Sequence, residues 1–234
     1  METALVTGAN KGIGKEIARR LVAEGMTVYL GARDETRGQA AADEIGARFV
    51  RLDVTDEESV QKAVAGLESL DVLVNNAGVA VDWGVEPAEM SAAVMRNAFE
   101  VNVFGVVTVT RACVPLLRRA PEGRIVNLSS PLGSLTLLSD FDCPVAQRKL
   151  LAYSSSKSAL NAVTLVYAQA LAPIRVNAVN PGLIATDLNG FTPGAGVGTV
   201  EQGAEVPVRL ALGDGGTGEF HGDGVNSVGG RVPW

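Results

Sequence analysis

Tyr153 and Lys157 stand four residues apart in the run YSSSK. On a helix, positions i and i+4 share a face, so a phenol and an ammonium would project together. An ammonium close to a phenol favours the phenolate and lowers the barrier to proton transfer. Near the start of the chain, residues 7–14 (TGANKGIG) place Gly8, Gly12 and Gly14 in a G-x-x-x-G-x-G spacing. Without Cβ atoms a backbone turns tightly and approaches phosphate, and a helix opening behind the turn adds amides and partial positive charge. Such a turn suits a dinucleotide pyrophosphate. One group moves protons and the other holds a hydride carrier, which together imply oxidoreductase chemistry.

Periodicity shows which elements must position these groups. Residues 3–7 (TALVT) form an apolar run that ends in glycine, hence a buried strand. Ile13, Ile17, Leu21 and Val22 follow at helical spacing, with Gly25 as the stop. Residues 27–32, 49–53, 71–75, 124–128 and 174–179 read as further strands. Helices are expected over residues 35–45, 90–119 and 153–171. Another is expected from a Thr55–Glu58 capping box and carries Val60, Val64 and Leu67. Strands separated by helix-length stretches require parallel pairing with right-handed crossovers. The expected fold is α/β: a single doubly wound Rossmann-type domain over residues 1–234 with a mainly parallel sheet. Ligands of such sheets bind beyond the carboxyl ends of the strands, where strand order reverses, and the candidate groups fall there.

Composition narrows the function classes. The 234 residues are 47% hydrophobic and 20% charged, enough for a large core. Net charge is −6, and no basic run exceeds the Arg19-Arg20 and Arg118-Arg119 pairs. Nucleic acid and anionic membranes are therefore not expected partners. Cys113, Cys143 and the single His221 show no metal-ligand spacing, so no metal site is expected. The thiols read as unpaired in a reducing cytosol. No basic and apolar leader precedes Thr3, and no apolar run approaches the roughly 18 residues of a membrane span. The expected location is the cytoplasm.

The ordered motifs TGANKGIG, LDV (52–54), NNAG (75–78), Asn102, Ser129-Ser130, YSSSK and NPGLIAT (180–186) resemble the short-chain dehydrogenase/reductase family across nearly the whole chain. NKGIG with GARDETRGQAA (31–41) is more closely similar to the monomeric carbonyl reductase branch. The resemblance implies that Tyr153 is the general acid in reduction and the general base in oxidation. Lys157 and the oxidised nicotinamide would lower its pKa from near ~10 by roughly one to three units. Ser130 would hold the substrate oxygen, and Asn102 would help hold a water in a proton relay. Asn10, Lys11 and Ile13 would join Gly8, Gly12 and Gly14 around the cofactor. Asp53 and Val54 would contact adenine, while Asn75, Ala77 and Gly78 would line the nucleotide. Beyond them, Pro181, Gly182, Ile184 and Thr186 would complete the nicotinamide end.

Charge orders the two nicotinamide cofactors. Ala32 stands where NAD-preferring proteins carry the ribose acid, followed by Arg33, with Lys11 in the glycine turn. Two cations suit a 2′-phosphate, so NADP(H) is expected; a one-residue shift would make Asp34 the ribose acid and favour NAD(H). Residues 131–152 exceed the family's common spacing before the tyrosine. They read either as a surface excursion or as a pocket wall that also obstructs tetramer contacts, giving a monomer or homodimer. Residues 188–199 read as the substrate loop, with Trp83 and Phe191 as apolar contacts. The expected partner is a small-molecule carbonyl or alcohol. Two other readings stand beside this one: a redox-sensing regulator without turnover, and a nucleotide-sugar epimerase or dehydratase using the same Tyr-Lys pair.

Overall fold

Along the first strand, Ala4 and Val6 enter one layer of the core and Leu5 enters the other, as the two-residue strand period dictates. Burial on both faces is the signature of a parallel sheet covered by helices. The computed structural model describes residues 1–188, 190, 196–222 and 226–234. Its strands are β1 (Thr3–Thr7), β2 (Thr27–Ala32), β3 (Arg48–Arg51), β4 (Val72–Asn75), β5 (Arg124–Leu128), β6 (Arg175–Asn180) and β7 (Phe220–Gly222). They form one seven-stranded sheet in the order β3-β2-β1-β4-β5-β6-β7, and every pairing is parallel. The helices are α1 (Gly12–Ala23), α2 (Glu35–Ile45), α3 (Glu57–Ala65), α4 (Ala92–Phe99), α5 (Gly105–Leu117), α6 (Leu135–Ser139), α7 (Leu151–Ala170) and α8 (Val200–Ala211). Core residues of α1, α2 and α8 pack on one face of the sheet. Those of α3, α5 and α7 pack on the other.

Four expectations change. Asp56, not Thr55, caps α3: its carboxylate accepts from Glu58 N and Ser59 N at 3.0 and 3.3 Å. Thr55 instead spends its hydroxyl on Asp53 Oδ1 at 2.7 Å. The helix expected over residues 90–119 is broken in register, because a π-helical turn, Glu100–Phe104, joins α4 to α5. No helix or strand is expected beyond residue 199, yet α8 and β7 lie there. α8 opens on a reciprocal Thr199–Gln202 capping box, whose T-V-E-Q pattern is a helix-start signal. Finally, Ala92–Leu117 is long and apolar enough to cross a membrane by length and composition, with a mean hydropathy of 1.4 over 18 residues. Its Val109, Cys113 and Leu117 are fully buried against α3 and the sheet, as in a core helix.

Candidate active site

β1 ends at Thr7, and Gly8 (φ +63°) and Gly12 (φ +58°) turn the chain into α1 in backbone conformations that disfavour any side chain. The N-cap residue Lys11 makes no capping hydrogen bond, and the first turn of α1 carries no acidic residue. The helix therefore presents open amides and its positive end to whatever sits before it. In front lies a cavity of about 630 Å³, walled by residues that follow the carboxyl ends of β1 to β6. It stands at the β1/β4 neighbourhood, where strand order reverses. A glycine turn, an uncapped helix start and a cleft of this size fit a dinucleotide.

The expected cofactor residues divide by their placement. Gly8, Asn10, Lys11, Gly12, Ile13 and Gly14 line the cavity, as do Arg33, Asp53 and Val54. Ala77, Gly78, Pro181 and Thr186 line its other side. Asn75 does not. As the last residue of β4 it is buried, and its amide donates to Asn127 Oδ1 at 2.9 Å and Thr110 Oγ1 at 3.3 Å. Asn76, one residue past the strand, takes the wall position and braces the glycine turn by donating to Thr7 O and Gly8 O. Gly182 and Ile184 also stand outside the wall; Ile184 is buried and bridges Gly198 at the base of the loop.

The charged positions resolve the register around β2. Ala32 closes the strand and lines the cavity together with Arg33. Asp34 is turned to α2, where it caps the helix through Arg37 N at 2.9 Å and pairs with Arg37 Nε at 2.8 Å. The hydrogen bond from the Arg37 amide is the main reason its carboxyl titrates below its ordinary value. Lys11 is engaged as well, with Nζ 2.5 Å from Asp187 Oδ2. Arg33 has no ion-pair partner among the described residues.

Tyr153 and Lys157 line the cavity from the first turns of α7, at 8% and 5% exposure. Lys157 Nζ lies 5.6 Å from the Tyr153 ring centroid and donates to Leu128 O at 2.7 Å. Ser130 hydrogen-bonds the phenol and accepts from Leu132 N at 3.2 Å. The adjacent Ser129 is committed elsewhere, donating to Asn161 Oδ1 at 2.5 Å. Burial pushes Tyr153 up to about 12, against the Ser130 hydrogen bond and with help from the Asp82 charge. Burial pulls Lys157 down to about 8. The lowering expected from Lys157 acting with the oxidised nicotinamide belongs to the nucleotide-bound enzyme; in the protein alone, burial is the largest influence on the phenol.

Asn102 sits in the π-turn and is 1% exposed. Its side chain clamps the loop after β4, accepting from Val79 N at 2.8 Å and donating to Val79 O at 2.9 Å. It also donates to Ser156 Oγ at 2.9 Å. Both amide hydrogens are thus spent on bracing, while Oδ1 keeps a second acceptor position. Residues 131–152 contribute nothing to the cavity wall. Leu137 packs toward Phe220, Val232 and Trp234, while Leu135 and Phe141 are exposed. Trp83 also lies off the wall, where Val79, Ala80, Val81, Val101 and Leu188 supply the apolar surface. Phe191 lies outside the described residues.

A model of the family described as short chain dehydrogenase matches residues 2–193. The chain belongs to the short-chain dehydrogenase family. It is 33% identical to (+)-neomenthol dehydrogenase of Arabidopsis thaliana over 89% of this chain and 90% of that protein. It is 34% identical to salutaridine reductase of Papaver somniferum over 93% of each. The NADPH-bound carbonyl reductase from chicken fatty liver superposes with a TM-score of 0.84 at 26% identity, covering 100% of this chain and 99% of that one. The protein is accordingly an alcohol/carbonyl oxidoreductase that works with a nicotinamide dinucleotide and small-molecule substrates.

Proposed function

We propose that this short-chain dehydrogenase uses NADP(H) to reduce a ketone, aldehyde or quinone to the alcohol, or to run the reverse, with Tyr153 as proton donor or acceptor. The observation that carries the cofactor preference is the end of β2: Ala32 offers no ribose acid, Asp34 is spent on α2, and Arg33 faces the cavity unpaired among the described residues. A guanidinium grips phosphate oxygens through charge-assisted bonds that ribose hydroxyls do not match. Gly8, Gly12 and the start of α1 would hold the pyrophosphate, and Asp53 and Val54 the adenine. When bound, the nicotinamide supplies or takes the hydride.

The chain's own groups supply the rest. Ser130, bonded to the phenol, orients the substrate oxygen toward Tyr153. A phenol pushed up to about 12 stays protonated at neutral pH and has a proton to give. Lys157 stands beside it as an ammonium that supports the phenolate once the proton leaves. The apolar wall of Val79, Ala80, Val81 and Leu188 excludes water and suits a substrate whose body is hydrocarbon.

Incubation with NADPH and a panel of ketones, aldehydes and quinones should consume NADPH. Binding of NADPH without oxidation across the panel would favour a dinucleotide sensor instead. Arg33→Ala should weaken NADPH binding by roughly 1.5–3 kcal/mol and leave NADH nearly unchanged. Equal losses for the two cofactors would remove Arg33 from phosphate recognition.

A further inference from the structure

Asp82 is fully buried in the loop after β4. A carboxylate taken wholly out of water is costly unless charge-assisted bonds replace its hydration. It finds them 70 residues away in sequence. Oδ2 accepts from Ala152 N at 2.7 Å and from Tyr153 N at 3.2 Å. These are first-turn amides of α7, and the helix's own N-cap residue, Leu150, makes no side-chain capping bond. The positive end of a 20-residue helix adds to the fit. Oδ1, equally buried, has no hydrogen-bond partner among the described residues.

The carbonyl side of the same residue is tied as well. Ser156 Oγ donates to Tyr153 O at 2.7 Å, and Asn102 Nδ2 donates to Ser156 Oγ at 2.9 Å. Asn102 also clamps Val79 of the loop that carries Asp82. Tyr153 is therefore held at its N–H by Asp82 and at its C=O by Ser156, which Asn102 links to the same loop, whose Val79, Ala80 and Val81 wall the cavity.

We propose that Asp82 is a positioning residue for Tyr153: it caps the helix from across the fold and fixes the phenol relative to the cavity wall and to Ser130. Its charge has a second effect. It adds to burial in keeping the proton on Tyr153, which suits donation to a carbonyl. Among the described residues, the charged groups facing the phenol are Asp82 and Lys157. The 3₁₀ turn Pro131–Gly133, packed on α7, brings no charge, and Arg96 and Glu100 on the α4 and π-turn side are exposed. Arg175, at the start of β6, is bonded to Gly213 O and Glu122.

The inference rests on Tyr153 as the proton donor. The test compares Asp82→Ala and Asp82→Asn with wild type for kcat, cofactor Kd, thermal midpoint and the pH profile of carbonyl reduction. Asp82→Ala should lower kcat roughly 10- to 100-fold with cofactor Kd unchanged. Asp82→Asn keeps an acceptor for both amides and should recover most of kcat at neutral pH. Without the negative charge, its alkaline limb should move down by roughly one pH unit. Should Asp82→Ala not fold, the alkaline limb of Asp82→Asn decides. Wild-type kcat in Asp82→Ala, or an unmoved limb in Asp82→Asn, would overturn the proposal even where both variants melt early. Turnover retained by Tyr153→Phe would instead overturn the proton-donor reading on which it stands.

Discussion

Lys157 carries an ammonium in a place that disfavours it, 5% exposed with Leu128 O as its acceptor. Because burial holds its folded pKa near 8, the unfolded chain binds that proton more tightly. Lys157 therefore subtracts from stability in full below about pH 8, and the penalty fades as pH rises toward the ordinary 10.5. A displacement of this size is worth on the order of 3 kcal/mol. Lys157→Met should raise the melting temperature at pH 7 while abolishing turnover, with the stability gain shrinking between pH 8 and 10.5. A lower melting temperature at pH 7 would show that the bond to Leu128 outweighs desolvation. Tyr153→Phe tests the other half of the pair. It removes only the hydroxyl and should cut kcat by ~10²–10⁴-fold while cofactor affinity holds; wild-type kcat in this variant would sink the proton-transfer role.

The decisive contact between elements is that of α7 with the 3₁₀ turn after β5. A Cβ placed on Gly133 would stand 2.6 Å from the main-chain carbon of Lys157 and 2.8 Å from its Cβ. Glycine thus lets the turn carrying Ser130 press directly on the helix carrying Tyr153 and Lys157, and Asn161 on that helix donates to Gly133 O at 3.0 Å. Gly133→Ala should push the two apart, destabilise the fold by roughly 1–3 kcal/mol, and lower kcat more than it raises the cofactor Kd. An unchanged kcat would mean that the Ser130–Tyr153 distance does not depend on this packing. The π-turn acts similarly on the opposite side of α7, since one extra residue per turn re-aims Asn102 at Val79 and Ser156.

For the whole molecule, the site runs along the carboxyl ends of β1 to β6, and β7 closes one edge of the sheet beside β6. α8 packs on α1, and the Trp234 ring lies 5.3 Å from that of Phe220 on β7. Thr136 donates to Trp234 O through both N and Oγ1, at 3.0 and 2.7 Å. The segment 131–152 is thus tied to these later elements, while Phe104 of the π-turn and Val166 of α7 remain exposed at 51% and 62%. Light scattering is expected to give the mass of one or two 24.2 kDa chains. A tetramer would mean that the segment obstructs nothing and that exposed apolar residues such as these are covered by other copies.

Local chemistry was legible in the sequence wherever one element suffices. The glycine turn, the i, i+4 spacing of Tyr153 and Lys157, and the strand–helix alternation depend on short-range geometry. They already imply the family and the doubly wound fold. α8 was legible too, since Thr199 and Gln202 announce its start, but the abundance of glycine nearby hid it. What needed the tertiary structure are contacts whose partners lie far apart in the chain. No local rule connects Asp82 to an amide 71 positions on, or directs Asn75 to Asn127 and leaves Asn76 for the cavity. The phenol's titration also depends on how much surrounding matter excludes water. Spacing along a helix places a cation beside Tyr153, but only packing determines how far burial raises the phenol.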